Sequence, residues 1–131
     1  MSSSWQKDVA IMMAAFEQVV RFFPTLNVSD KEKTLRKLLI EEEVEELLTA
    51  IDDNNLEKIA DGIADSLVVI LGAAVMYGID LEPIWHEVHR SNMGKTSGPT
   101  DLVTGKKLKP VDWCPPNIKE LLNLQHPDED L

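Results

Sequence analysis

Five carboxylates in two short stretches are the residues best able to do chemistry in this 131-residue chain. The first stretch is Glu41-Glu42-Glu43-Val44-Glu45-Glu46, and the second is Asp61-Gly62-Ile63-Ala64-Asp65. Both lie within helical periodicity beside strongly apolar residues. A helix turns by about 100° per residue. That places Glu42, Glu43 and Glu46 within an arc of roughly 100° on the face occupied earlier by Leu35, Leu38 and Leu39. Glu41 and Glu45 point elsewhere, beside Ile40, Val44 and Leu48, as members of a solvated face would. Asp61 and Asp65 are four apart, hence neighbours on one face. The same stripe continues through Val68, Val69 and Gly72, which are expected to be buried.

Carboxylates gathered at the edge of a core repel one another, and their pKa values rise. A divalent cation removes that cost, so Glu42, Glu43, Glu46, Asp61 and Asp65 read as a metal site. The ligands on offer are all oxygen, which indicates Mg²⁺ or Mn²⁺ rather than zinc. Magnesium typically keeps waters and is bound together with substrate phosphates. A di-iron helical bundle would need Glu-x-x-His pairs, and neither acidic patch contains a histidine. His86 and His89, three apart, read as exposed helical residues. Cys114 has no histidine nearby and does not read as a nucleophile.

The elements that position these acids follow from periodicity and caps. Ser4 is expected to cap a first helix carrying Trp5, Val9, Met12, Phe16, Val19 and Phe23, stopped by Pro24. Ser29 or Asp30 starts a second helix that ends at the polar turn Asp52-Asp53-Asn54-Asn55. The third is predicted from about Leu56 to Tyr77, with Gly78 as its left-handed C-terminal residue. Its run from Leu67 to Met76 is apolar all round, the pattern of a helix covered on every side. The short turn makes the second and third helices an antiparallel hairpin. Glu46 and Asp61 are nearly equidistant from that turn, so the two patches can face each other.

Asp80 caps a fourth helix with Leu81, Ile84, Trp85 and Val88 on its inner face; Gly94 ends it. Between Lys95 and Trp113, Gly98, Pro99, Gly105 and Pro110 break any helix, leaving a short hairpin or ordered loop. This segment sets Lys95, Lys106, Lys107 and Lys109 against two acids, Asp101 and Asp112, and a triphosphate would suit it. Trp5, Trp85 and Trp113 read as core residues. Pro115-Pro116-Asn117 opens a short last helix with Ile118, Leu121 and Leu122.

Composition bounds the rest. A hydrophobic share of 44% with few aromatics fits one all-helical domain, expected over residues 1–125, followed by an acidic, frayed tail at 126–131. The net charge of −10 argues against nucleic acid or an anionic membrane as the main partner. One cysteine permits no internal disulfide, and the N-terminal residues lack a signal-peptide apolar stretch. A cytoplasmic protein is the expectation.

Glu42-Glu43-Val44-Glu45-Glu46, followed on the next helix by Asp61 and Asp65 leading into an apolar run, resembles the all-α nucleotide pyrophosphatase superfamily. That group includes MazG-type enzymes, dimeric dUTPases and phosphoribosyl-ATP pyrophosphohydrolases. Gly78-Ile79-Asp80-Leu81, Glu87-Val88-His89-Arg90-Ser91-Asn92-Met93-Gly94-Lys95 and the segment from Gly105 to Pro116 are similar to its phosphoribosyl-ATP pyrophosphohydrolase-like branch. The resemblance spans roughly residues 8–122. The family pattern is Glu-x-x-Glu on one helix and Glu-x-x-Asp on the next. Glu43 and Glu46 match the first and Asp65 ends the second, but Gly62 stands where a Glu is expected. Asp61 takes its place from the neighbouring position, which leaves the number of metals open.

The resemblance implies an all-α bundle of four to five helices, working as a homodimer or dimer of dimers. It implies Mg²⁺-dependent cleavage of the α–β anhydride of nucleoside triphosphates, giving monophosphate and pyrophosphate, as nucleotide-pool house-cleaning. Glu42, Glu43 and Glu46 are the expected catalytic residues, with Glu42 orienting or deprotonating the water. Asn92, Lys95, Lys107 and Lys109 are the expected substrate contacts. Two alternatives stand beside this: a phosphoribosyl-ATP substrate, and a non-catalytic oligomerisation or regulatory module that kept the fold.

Overall fold

Ser29 opens the longest helix with a reciprocal cap. Its hydroxyl accepts from the Glu32 backbone N–H, and the Glu32 carboxylate accepts from the Ser29 N–H at 2.8 Å. The computed structural model describes residues 1–126. Within them the chain forms five α-helices and no strand, as expected for a MazG-like helical bundle. They fall into two compact units, 1–80 and 81–131. Beyond His126, the expected acidic tail lies outside the described residues.

The first unit holds α1 (Ser4–Ala15), α2 (Asp30–Asp52) and α3 (Leu56–Tyr77). Helix α3 packs along α2 and also against α1. Its C-terminal half supplies most of the core, with Val69, Leu71, Ala74, Val75 and Met76 buried together with Val9 and Met13 of α1. The hairpin turn forms as the sequence predicts. Asn54 takes a positive φ of 53° while the Asn55 side chain caps α3 through the Lys58 N–H. Gly78 ends α3 at φ 72°. A Cβ there would lie 2.0 Å from the Phe23 carbonyl oxygen, so only glycine fits.

The first helix departs from expectation at both ends. Its N-cap is Ser3 rather than Ser4. It stops at Ala15, eight residues before the predicted Phe23. Glu17 adopts φ 61°, and the N–H groups of Glu17 and Gln18 turn back to the carbonyls of Ala14 and Met13. That is the hydrogen-bond pattern of a left-handed helix terminus, made without glycine. The freed segment then runs along the end of α3. The N–H groups of Arg21 and Thr25 donate to the carbonyls of Val75 and Tyr77, and the Arg21 guanidinium donates to that of Met76. The carbonyls of Met76 and Tyr77, at the helix end, are satisfied this way, and that of Val75 gains a second donor beside the Gly78 N–H.

Helix α3 is also less covered than its sequence suggests. Leu67 and Ile70 are 38% and 44% exposed, so one face of the apolar run is open. By length and composition α3 would suffice to cross a bilayer, but eight of its residues are buried in this unit. On α2, the leucine face is likewise open at Leu35 and Leu38, and the buried side chain of that turn is Arg36.

The second unit holds α4 (Leu81–Met93) and α5 (Ile118–Gln125). The expected inner face of α4 is corrected: Ile84 is buried, but Trp85 is 66% exposed. Trp5 is exposed as well, so of the three tryptophans expected in cores only Trp113 is half-buried. Between the helices lies the ordered loop that the Gly and Pro pattern implies. One antiparallel bridge joins Thr100 to Lys107, and the Asp101 carboxylate accepts from the N–H groups of Val103 and Thr104.

Candidate functional site

The acidic patches of α2 and α3 come together, sorted by depth. Glu43 and Asp65 are half-buried; Glu42, Glu46 and Asp61 are exposed. The expectation that all five face inward therefore holds only for Glu43 and Asp65. The remaining three lie on the rim of a groove of about 510 Å³ between the two helices. Glu45, expected to point away, also lines this groove, with Thr49, Asp53, Gly62 and Lys58. An arc reckoned on a single helix misses this because a groove between two helices is wider than one helix face. Lys58, at the first turn of α3, brings a positive charge that sequence reasoning passed over.

Glu43 is the acid whose surroundings disfavour its charge. Its Oε2 is shielded from solvent and has no hydrogen-bond partner. Burial raises its pKa above the ordinary carboxylate value, and the negative charges of Glu46, Asp65 and Glu42 raise it further.

A divalent cation fits this donor set: an orphaned carboxylate oxygen with three carboxylates near enough to perturb it, all hard oxygen donors. Among the described residues, no three side chains already converge as a preformed cage.

Gly62 explains the departure from the Glu-x-x-Asp pattern. It is buried against α2, and a Cβ would sit 3.1 Å from the Leu47 Cα and 3.2 Å from its Cβ. A side chain at that position would need Leu47 to give way by a few tenths of an ångström. Asp61, one residue earlier, reaches the groove instead.

In the second unit, the Trp113 indole organises the basic loop. Its Nε1–H donates to the Ser91 carbonyl at 2.6 Å. The ammonium groups of Lys109 and Lys95 lie 4.5 Å and 5.4 Å from the ring centroid, within cation–π range. Lys95 also donates to the Asn92 side-chain oxygen at 3.2 Å. Three of the four predicted substrate contacts, Asn92, Lys95 and Lys109, thus form one cluster. Lys107 pairs through its backbone with Thr100. Trp113 is the member that sequence reasoning placed in a core; its position four residues after Lys109, at the end of the lysine-rich loop, was the available signal. Arg90 ties the cluster to the following segment by donating to the Cys114 and Pro115 carbonyls.

An all-helical scaffold with acids of two antiparallel helices facing one groove is the arrangement of the MazG-like class. The family model for phosphoribosyl-ATP pyrophosphohydrolase matches residues 11–92, and the chain belongs to that family within the MazG-like superfamily. It is a family of hydrolases acting on phosphoric anhydrides. The chain is also similar to the mimivirus (Acanthamoeba polyphaga mimivirus) protein described as uncharacterized protein L479. The two are 46% identical over 48 residues, which cover 37% of this chain and 19% of that relative. The chain therefore spans about a fifth of that relative's length.

Proposed function

We propose that this chain hydrolyses the α–β anhydride of a nucleoside triphosphate, giving monophosphate and pyrophosphate, with Mg²⁺ (or Mn²⁺) as cofactor. The observation that carries the reading is Glu43: a shielded oxygen without a partner, in a carboxyl group crowded by three other acids. Glu42, Glu43, Glu46, Asp61 and Asp65 would hold the ion. When bound, the ion would neutralise phosphate charge and make water a better nucleophile. Glu42, exposed on the groove rim, would orient a water and accept its proton. Lys58 offers a cation to phosphate from the same groove. Asn92, Lys95, Lys107 and Lys109 offer donors and positive charge of the kind a polyphosphate requires.

The working form is a homodimer or dimer of dimers in the cytoplasm. The open apolar faces at Leu35, Leu38, Leu67 and Ile70 support association. House-cleaning of the nucleotide pool is the corresponding role. The description of the matching family favours phosphoribosyl-ATP as a second substrate reading. Gly62 in place of a carboxylate favours a third, a non-catalytic module.

Pyrophosphate release from a panel of nucleoside triphosphates and phosphoribosyl-ATP, with and without Mg²⁺, separates these readings. The expected result is Mg²⁺-dependent turnover of at least one triphosphate that Glu46→Gln abolishes. Turnover of phosphoribosyl-ATP alone would select the second reading. No turnover on any substrate would select the third.

A further inference from the structure

Two oxygen atoms on the seam between α2 and α3 are buried without partners: Oε2 of Glu43 and Oγ of Ser66. Ser66 is 6% exposed. A serine inside a helix can return its hydroxyl to the carbonyl one turn back, but Ser66 makes no such bond. A buried hydroxyl without a partner destabilises a fold. Alanine would remove it and keep the same Cβ, so packing does not account for a serine here.

The register of the hairpin brings these two atoms to one level. Gly62 lies against the backbone of Leu47, where a Cβ on the glycine would sit 3.1 Å from the Leu47 Cα. The helices are antiparallel, so one turn onward on α3 is level with one turn back on α2. Four residues after Gly62 is Ser66, and four before Leu47 is Glu43. Asp65, the neighbour of Ser66, is close enough for its charge to act on Glu43, which fits the same register. The two orphaned groups are chemically matched as well. One is a donor, the other an acceptor, and a hydroxyl donating to a carboxylate makes a bond roughly twice as strong as one between neutral groups.

We propose that Ser66 is a positioning residue for Glu43: its hydroxyl donates to Oε2 of the ionised carboxylate and leaves the other oxygen to a divalent cation. The inference rests on the reading of the acidic groove as a cation site. Ser66 touches neither ion nor substrate in this role. It fixes the orientation of a carboxylate that would otherwise turn freely about its last bond. Hydrogen bonds of this kind behind a metal-binding side chain change metal affinity by about ten- to a hundredfold.

The test compares wild type, Ser66→Ala and Ser66→Cys, each as the full chain. Alanine deletes the donor, and cysteine fills nearly the same space with a weak one. Urea unfolding in the presence of a chelator reads the fold alone, and calorimetric titration with Mg²⁺ at neutral pH reads the site. Without divalent ions, Ser66→Ala should be at least as stable as wild type, because it loses a group that has no partner. The Mg²⁺ dissociation constants of Ser66→Ala and Ser66→Cys should both rise about tenfold. A hydroxyl with only a packing role would not weaken Mg²⁺ binding in a variant as stable as wild type. Equal Mg²⁺ affinity in wild type and Ser66→Ala, wild-type affinity in Ser66→Cys, or a chelator-treated Ser66→Ala less stable than wild type overturns the proposal and leaves the cation site standing. No Mg²⁺ binding by wild type overturns both.

Discussion

Replacing Glu32 by Gln removes one charge and one of the two oxygens that accept from Arg21. A glutamine at this position still offers an oxygen to the Ser29 N–H, so the reciprocal cap of α2 survives. What disappears is the Arg21 Nη1 bond to Oε1 at 2.7 Å, where the amide nitrogen now stands and cannot accept, and the ionic part of the Nη2 bond to Oε2 at 3.1 Å. The Arg21 hydrogen bond, with the Ser29 backbone bond second, lowers the Glu32 pKa from 4.5 to about 2. At about 1.4 kcal/mol per pKa unit, that difference sets a ceiling of about 3 kcal/mol on the stability tied to the ionised group. Both side chains keep about a fifth of their surface in solvent, 20% and 22%, so screening reduces the expected value to roughly 1–2 kcal/mol. The sign is fixed by the direction of the shift. A carboxyl group whose folded pKa is depressed contributes fully above its unfolded pKa of 4.5, and the contribution is lost as pH falls toward 2. Urea unfolding of wild type and Glu32→Gln at about pH 7 and about pH 3 measures it. The gap should be roughly 1–2 kcal/mol at the higher pH and clearly smaller at the lower. A gap below about 0.5 kcal/mol at neutral pH, or one that does not narrow in acid, would refute the assignment.

Glu43→Gln should behave in the opposite sense. Because the folded pKa of Glu43 is raised above 4.5, its contribution to stability falls as pH rises through the raised value. In the absence of divalent ions, Glu43→Gln should therefore be more stable than wild type at neutral pH. That advantage should shrink as pH approaches 4.5 in a chemical-denaturation series. Gly78→Ala forces a side chain into a left-handed position against the Phe23 carbonyl; a loss of about 2 kcal/mol or more is expected on urea unfolding. Trp113→Ala removes the ring shared by Lys95 and Lys109. It should raise KM for a triphosphate several-fold with kcat nearly unchanged, and a loss confined to kcat would contradict the assigned role.

The hairpin of α2 and α3 is legible in the sequence because its signals agree. Ser29 with Glu32, Asn55 before Leu56 and Gly78 after Tyr77 each mark an end that the structure keeps. The end of α1 is not legible. Apolar periodicity runs on through Val19 to Phe23, and the turn at Glu17 is stabilised by what it allows the following segment to do at the far end of α3. A local pattern carries no information about such a distant partner.

The acidic site divides in the same way. Which acids share a neighbourhood follows from helix geometry and the short turn. How deeply each sits depends on packing between helices, and Gly62 against Leu47 sets that packing. Arg36 lies beyond periodicity altogether: an arginine beside Leu35 reads as a surface residue until Gly72, on another helix, is seen to receive it.

The central claim is that the crowded carboxylates around Glu43 are a binding site for a divalent cation. Calorimetric titration with Mg²⁺ at mildly acidic pH, about 5.5, in two buffers of different ionisation enthalpy counts the protons displaced on binding. Wild type should bind Mg²⁺ and release a measurable fraction of a proton, and Glu43→Gln should release clearly less. Absence of Mg²⁺ binding, or binding with the same proton release in both proteins, would contradict the account.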